Sequence, residues 1–236
     1  MNVGSLFSGI GGIELGLERV GFNTKWFIEK DEHARAILKQ RFPRATIYED
    51  VQKVHYRELE VVDILTGGFP CQDLSKAGKG KGLEGSRSGL WRYYFKAIRE
   101  IRPKFAIIEN VPNLLKKGFC SVLTDLATIG YNAEWQCLPV SAFGGLHRRQ
   151  RLFIVAYPNS YGCIGIFGTK IEKRCNLDKI NFTLTEGLAV GSWPFKPCVG
   201  RVVDGIPRRV DRIKRLGNSV CPIVAQSIGA AIKKYM

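Results

Sequence analysis

Acidic residues are scarce relative to basic ones: 21 Asp and Glu stand against 36 Lys and Arg in 236 residues, a formal net charge of +15. No two of the seven cysteines are spaced C-x-x-C, so a structural zinc site has no support and no metal is expected. Their odd number and scatter argue for reduced thiols and a cytoplasmic setting. No apolar run reaches the ~18 residues that a membrane-spanning helix needs. Met1 to Ser8 lacks a charged stretch followed by an apolar one, so no signal peptide is expected. Internal repeats and low-complexity tracts are absent as well.

What is present is ordinary globular composition, 45% hydrophobic and 24% charged. The length suits one domain, or one domain with a small appendage, and is enough for a core without disulfide staples. The excess positive charge therefore lies on a folded surface. It serves either a polyanionic partner, most often nucleic acid, or solubility alone.

Hydrophobic periodicity orders the chain. Val3–Phe7 reads as a strand, Ser8–Gly12 as a glycine turn, and Ile13, Leu17 and Val20 as one face of a helix. Thr24–Ile28 reads as a strand ending in Glu29, and Asp31–Arg41 as a helix. Val61–Thr66 reads as a buried strand followed by the loop Gly67-Gly68-Phe69-Pro70-Cys71. Residues 78–88, rich in Gly, Lys and Ser, read as a loop. Gly89–Ile101 and Phe119–Ile129 suit helices, Phe105–Ile108 and Leu152–Ala156 strands, and Ile223–Ile232 a last apolar helix. Alternating strands and helices imply an α/β fold with a mostly parallel sheet covered on both faces. Residues 158–200 lack a helical period, and 201–216 are strongly basic. The expected division is 1–157 for catalysis and cofactor binding, 158–200 for a small recognition region, and 201–236 for a basic segment and returning helix.

Several residues carry possible chemistry. A glycine turn after the first strand lets a cofactor approach the backbone at a helix N-terminus, and Glu29 is placed to bind a ribose diol. A dinucleotide turn would read G-x-G-x-x-G, but Glu14 stands at the third glycine position, which points to a different nucleoside cofactor. Cys71 lies at the carboxyl edge of the sheet, as a nucleophile or as an inert buried thiol. Glu109, also at a strand end, suits a proton donor or a salt-bridged acid. Arg149 and Arg151 flank Gln150, hold the same face, and suit a phosphate or carboxylate.

Taken together these segments resemble the DNA cytosine-5 methyltransferase family, which uses S-adenosylmethionine. The resemblance rests on Val3-Gly4-Ser5-Leu6-Phe7-Ser8-Gly9-Ile10-Gly11-Gly12, Gly67-Gly68-Phe69-Pro70-Cys71-Gln72, Glu109-Asn110-Val111, Arg149-Gln150-Arg151 and Gly217-Asn218-Ser219-Val220, in family order. It implies a Rossmann-like methyltransferase fold. It also implies covalent attack by Cys71 on C6 of a cytosine flipped out of duplex DNA, assisted by Glu109, Arg149 and Arg151. Phe7, Gly9, Gly11, Gly12, Glu29, Asp50, Phe69, Leu90, Asn218, Ser219 and Val220 would hold S-adenosylmethionine. Pro70, Gln72, Asn110 and Val111 would surround the base, with Lys79, Lys81, Arg87, Arg208 and Arg209 on the DNA. A monomeric bacterial or phage-encoded enzyme with no membrane contact is expected.

Two other readings share these residues: a tRNA-type cytosine-5 methyltransferase, and an inactive DNA-binding relative. A nicotinamide dehydrogenase fails on the missing third glycine and the unexplained charge. Three positions depart from the family pattern: Ser5 replaces a frequent Asp, Lys30 a frequent apolar residue, and His147 a frequent Gln. The recognition region of about 40 residues is near the lower limit for independent folding, so a short target site is expected. Bisulfite mapping of DNA from expressing cells should show a short methylated sequence; a long site without degeneracy would contradict this.

Overall fold

In the computed structural model the described residues are 1–70, 89–116, 118–145, 148–162, 164–167 and 219–235. The expected loop at 78–88, the recognition region beyond 167 and the basic segment up to 218 lie outside them. Seven strands form one sheet in the order β3-β2-β1-β4-β5-β7-β6. They are β1 (Asn2–Leu6), β2 (Asn23–Ile28), β3 (Thr46–Tyr48), β4 (Ile64–Gly67), β5 (Phe105–Asn110), β6 (Tyr131–Pro139) and β7 (Gln150–Pro158). The described helices are α1 (Gly12–Glu18), α2 (Glu32–Arg41), α3 (Trp91–Ile101), α4 (Phe119–Thr128) and α5 (Pro222–Ile232).

The β1–β2, β1–β4, β2–β3 and β4–β5 pairs are parallel. Strand β7 is antiparallel to both β5 and β6, which places its first residues beside the last residues of β5. The expected α/β class and mostly parallel sheet are thus observed, with one reversed strand that local pattern did not reveal. Strand β6 is also additional to the sequence reading. It is an edge strand on which only Tyr131 and Leu138 are buried, so it carries no clean alternation. The strand expected at Val61–Thr66 begins instead at Ile64, and Val61 is 80% exposed.

The core follows the patterning. Leu6, Leu65, Ile108, Ile154, Tyr94, Ile98, Val122 and Leu126 pack in one buried cluster. Asp31 caps α2 by accepting from the Ala34 N–H at 2.8 Å. Trp91 Nε1 donates to Asp125 of α4 at 2.8 Å, pinning α3 to α4.

Helix α5 packs directly on α1. Their backbones approach closely because α1 carries glycine at the contact. A Cβ on Gly12 would run into the Val220 carbonyl, and one on Gly16 would meet the Pro222 carbonyl and, at 2.8 Å, Ala225 Cβ. Helix propensity favours Ala over Gly by about 1 kcal/mol. At Gly16 the steric conflict is with a backbone carbonyl that cannot rotate away, so overpacking outweighs that gain. G16A is expected to lower stability by about 1–3 kcal/mol in urea unfolding; an unchanged or higher midpoint would contradict this packing.

Candidate active site

The carboxyl ends of β1, β2, β4 and β5 and the start of β7 share one edge of the sheet, and the sequence-selected residues gather there in two groups. The first surrounds the turn after β1. Phe7 is left-handed (φ 54°), a sparsely populated conformation for a bulky residue. Gly9 (φ 54°) and Gly11 (φ 78°) follow, and Gly11 caps α1. The Gly11 N–H donates to the Ser8 carbonyl at 3.0 Å, closing the turn. A Cβ on Gly9 would point into open space, so its glycine answers to backbone conformation and leaves that side clear.

Glu29 Oε2 accepts from the Gly9 N–H at 2.7 Å, and Oε1 accepts from the Asp31 N–H at 2.8 Å. The expected diol-binding acid is therefore already engaged through one lone pair on each oxygen, leaving the others for a ligand. Burial pushes its carboxyl above the ordinary carboxylate range, against the pull of these backbone bonds. Asp50 Oδ1 accepts from the Gln52 N–H at 2.9 Å, while Oδ2 lies 3.9 Å from Lys30 Nζ. Phe69 is buried against Trp91, with ring centroids 5.3 Å apart. Leu90 is half-buried in the same cluster as Phe7. Ser219 and Val220 back onto Gly12; Asn218 lies outside the described residues.

The second group is centred on Glu109, in the last turn of chain along β5. Register pairs Glu109 with Phe153 and Asn110 with Leu152, so Arg151 stands one residue beyond the ladder. Arg151 Nε donates to Glu109 Oε1 at 2.9 Å. The Glu109 carboxyl is nonetheless pushed up to about 7, because burial outweighs the attraction of Arg151 and Arg149. Burial, and then the charge of Arg151, lower the affinity of the Arg149 guanidinium for its proton. Both arginines thus stand within the field of Glu109.

Gly68 permits this arrangement, since a Cβ there would lie 2.5 Å from Glu109 Oε2. Asn110 Nδ2 donates to the Phe69 carbonyl at 2.9 Å, and its Oδ1 accepts from the Val111 N–H at 2.9 Å. Asn110 therefore anchors the segment that leads through the exposed Pro70 to Cys71. Cys71, Gln72, Lys79, Lys81, Arg87, Arg208 and Arg209 lie outside the described residues. Among the described residues no group of His, Cys, Asp and Glu could hold a metal ion, and no helix is long and apolar enough to cross a membrane.

Sequence reasoning missed a buried polar cluster beneath the turn. Glu14, on α1, is 1% exposed, and Thr66 Oγ1 of β4 lies 2.5 Å from its Oε1. The available signal was helical spacing: Glu14 precedes Leu17 by three residues and shares its inward face.

Comparison with known proteins agrees with this architecture. The C-5 cytosine-specific DNA methylase family matches residues 1–185, and the chain belongs to that family. It is 42% identical to the Type II methyltransferase M2.BsuMI of Bacillus subtilis over 164 residues, covering 66% of this chain and 42% of that protein. It is 33% identical to the Type II methyltransferase M.Bsp6I of a Bacillus species, covering 67% of this chain and 53% of that protein. The chain thus spans about half the length of these relatives. Its fold resembles the S. pombe Dnmt2 methyltransferase, with a TM-score of 0.57 at 18% identity over 71% of this chain and 55% of that one.

The raised Glu109 pKa has a measurable consequence. Between pH ~4.5 and ~7 the native state keeps a proton that the unfolded chain loses, so this group lowers stability as pH rises through that window. E109Q has no such proton. The stability of E109Q relative to wild type should therefore rise by about 3 kcal/mol across it. Urea unfolding at several pH values checks this, and a pH-independent difference would contradict it.

Proposed function

We propose that this chain carries the catalytic and cofactor-binding machinery of a DNA cytosine-5 methyltransferase of the restriction–modification type. The observation that carries the reading is the buried Glu109 paired with the partly exposed Arg151, set beside the Gly68–Pro70 segment that leads into Cys71. Supporting it are the family membership and the relatives named as type II methyltransferases.

Cytosine C5 is a weak nucleophile until electron density is pushed toward it. The Cys71 thiolate adds to C6, forming a C–S bond and shifting the ring electrons toward C5 and N3. Glu109, protonated in part near neutral pH, donates its proton toward N3 and accepts from the exocyclic amine. This stabilises charge where it develops. Arg151 orients the Glu109 carboxyl and reaches the base O2, with Arg149 supporting it. After C5 is alkylated, a water removes the C5 proton, the C5–C6 double bond re-forms and the thiolate is expelled. The target base is flipped from the duplex to reach these groups.

The turn fits S-adenosylmethionine: Gly9 leaves open space above the backbone, and Glu29 retains lone pairs for ribose hydroxyls. Phe7, Gly11, Gly12, Asp50, Phe69, Leu90, Asn218, Ser219 and Val220 complete the set. S-adenosylmethionine supplies an electrophilic methyl group on a sulfonium. Lys79, Lys81, Arg87, Arg208 and Arg209 neutralise DNA phosphates, so affinity falls steeply with salt.

A covalent trap tests the mechanism. Duplex DNA carrying 5-fluorocytosine should form a denaturation-resistant adduct in the presence of S-adenosylmethionine, and C71A should form none. An undiminished adduct in C71A would refute the role of Cys71. A transfer RNA arm that traps while duplex DNA does not would move the substrate to RNA.

A further inference from the structure

The reaction just described makes no use of Glu14, although it is among the most buried ionisable groups among the described residues. It projects from the first turn of α1, directly behind the Gly11-Gly12 cap. Thr66 Oγ1 lies 2.5 Å from Glu14 Oε1 and 3.3 Å from the Gly4 carbonyl. One hydroxyl proton cannot serve both oxygens. With a proton on the carboxyl, Glu14 donates to Thr66 and Thr66 donates onward to Gly4. Glu14 Oε2 is buried with no hydrogen-bond partner, a modest cost for a neutral carbonyl oxygen and a large one for half of a carboxylate.

The charged surroundings agree. Burial pushes the Glu14 carboxyl up, more than the hydrogen bonds of Thr66, its own backbone N–H and the Ser5 hydroxyl together pull it down. Glu18, on the same helix, opposes a negative charge there, and Tyr94 of α3, the other ionisable group within reach, is held as a neutral phenol.

The contact spans the site. Gly4 belongs to β1, which feeds the cofactor turn. Thr66 belongs to β4, which continues through Gly67 and Gly68 toward Pro70 and Cys71. A parallel chain of hydroxyls stiffens the same turn: Ser5 Oγ donates to Ser8 Oγ at 2.8 Å, and Ser8 Oγ lies 3.3 Å from the Ser5 carbonyl and 3.4 Å from the Ile28 carbonyl.

We propose that Glu14 is a positioning residue that, as a neutral carboxylic acid, ties the first turn of α1 to β4 and so fixes the Ser8–Gly12 turn relative to the end of that strand. In its bearing on S-adenosylmethionine this rests on the reading of that turn as the cofactor site. The atoms involved are the chain's own, and the test does not depend on the ligand alone.

Three proteins are compared at pH 8, where Glu109 is largely ionised: wild type, E14Q, which keeps a donor to Thr66, and E14L, which fills the space without one. Infrared spectra should show a protonated-carboxyl band in wild type that E14Q and E14L lack. Amide exchange at Gly9, Gly11 and Gly12 should be unchanged in E14Q. In E14L it should be faster by about tenfold, the scale of one lost hydrogen bond. S-adenosylmethionine affinity, by calorimetry, should follow the same order. Failure of E14Q to remove the band, or wild-type exchange in E14L, would overturn the proposal. If E14L does not fold, E14Q alone decides through the band and its exchange rates. A wild-type protein that does not bind S-adenosylmethionine would sink the cofactor reading, while the band and exchange would still decide the role of Glu14.

Discussion

A carboxylate taken out of water costs several kcal/mol unless a cation and hydrogen bonds replace its hydration. At Glu109 the replacement is incomplete. Arg151 is 2.9 Å away, yet burial still holds the acid near neutrality in its proton affinity. That compromise depends on much of the sheet. Strand β7 must run backwards to bring its first residues beside the end of β5. Gly68 must lack a side chain. Asn110 must hold the Phe69 carbonyl so that the chain leaves β4 at the right height. A fully exposed acid would be ionised throughout the neutral range, and a fully buried one without arginines would hold its proton too tightly to release it.

The turn after β1 obeys a different constraint. There glycine leaves one side of the backbone open, and the surrounding side chains shape the turn. Glu29 accepts from Gly9 across the gap between β2 and the turn, while Glu14 braces the turn from beneath. Phe7 and two glycines supply the positive φ angles that such a tight reversal needs. Two acids of one short segment thus have separate duties, one facing the open edge and one facing the core.

Much of this was legible in the sequence. Strand-end placement put Glu29 and Glu109 on one edge, and the short spacing of Arg149 and Arg151 kept the two together beside Glu109. The turn, the capping Asp31 and the returning α5 also carried local signals. Three features did not. The direction of β7 is invisible in Leu152–Ala156, because a strand buried on both faces has the same apolar run either way round. Strand β6 lies at an edge and alternates poorly. For Glu14 helical spacing shows an inward face but not its partner, which lies 52 residues away and meets it only in the fold. Each case is a tertiary contact overriding or lacking a local pattern.

The packing of α5 on α1 has a consequence for the order of events in time. Gly12 and Gly16 meet Val220, Pro222 and Ala225, contacts that join residues about 200 positions apart. Such a pairing carries a large loop-closure entropy and forms late. During synthesis the early strands can find one another while the helix behind the Ser8–Gly12 turn is still missing. The Ser8–Gly12 turn therefore gains the helix that backs it only after α5 has emerged, so a partly made chain carries the turn before the packing that holds it in place.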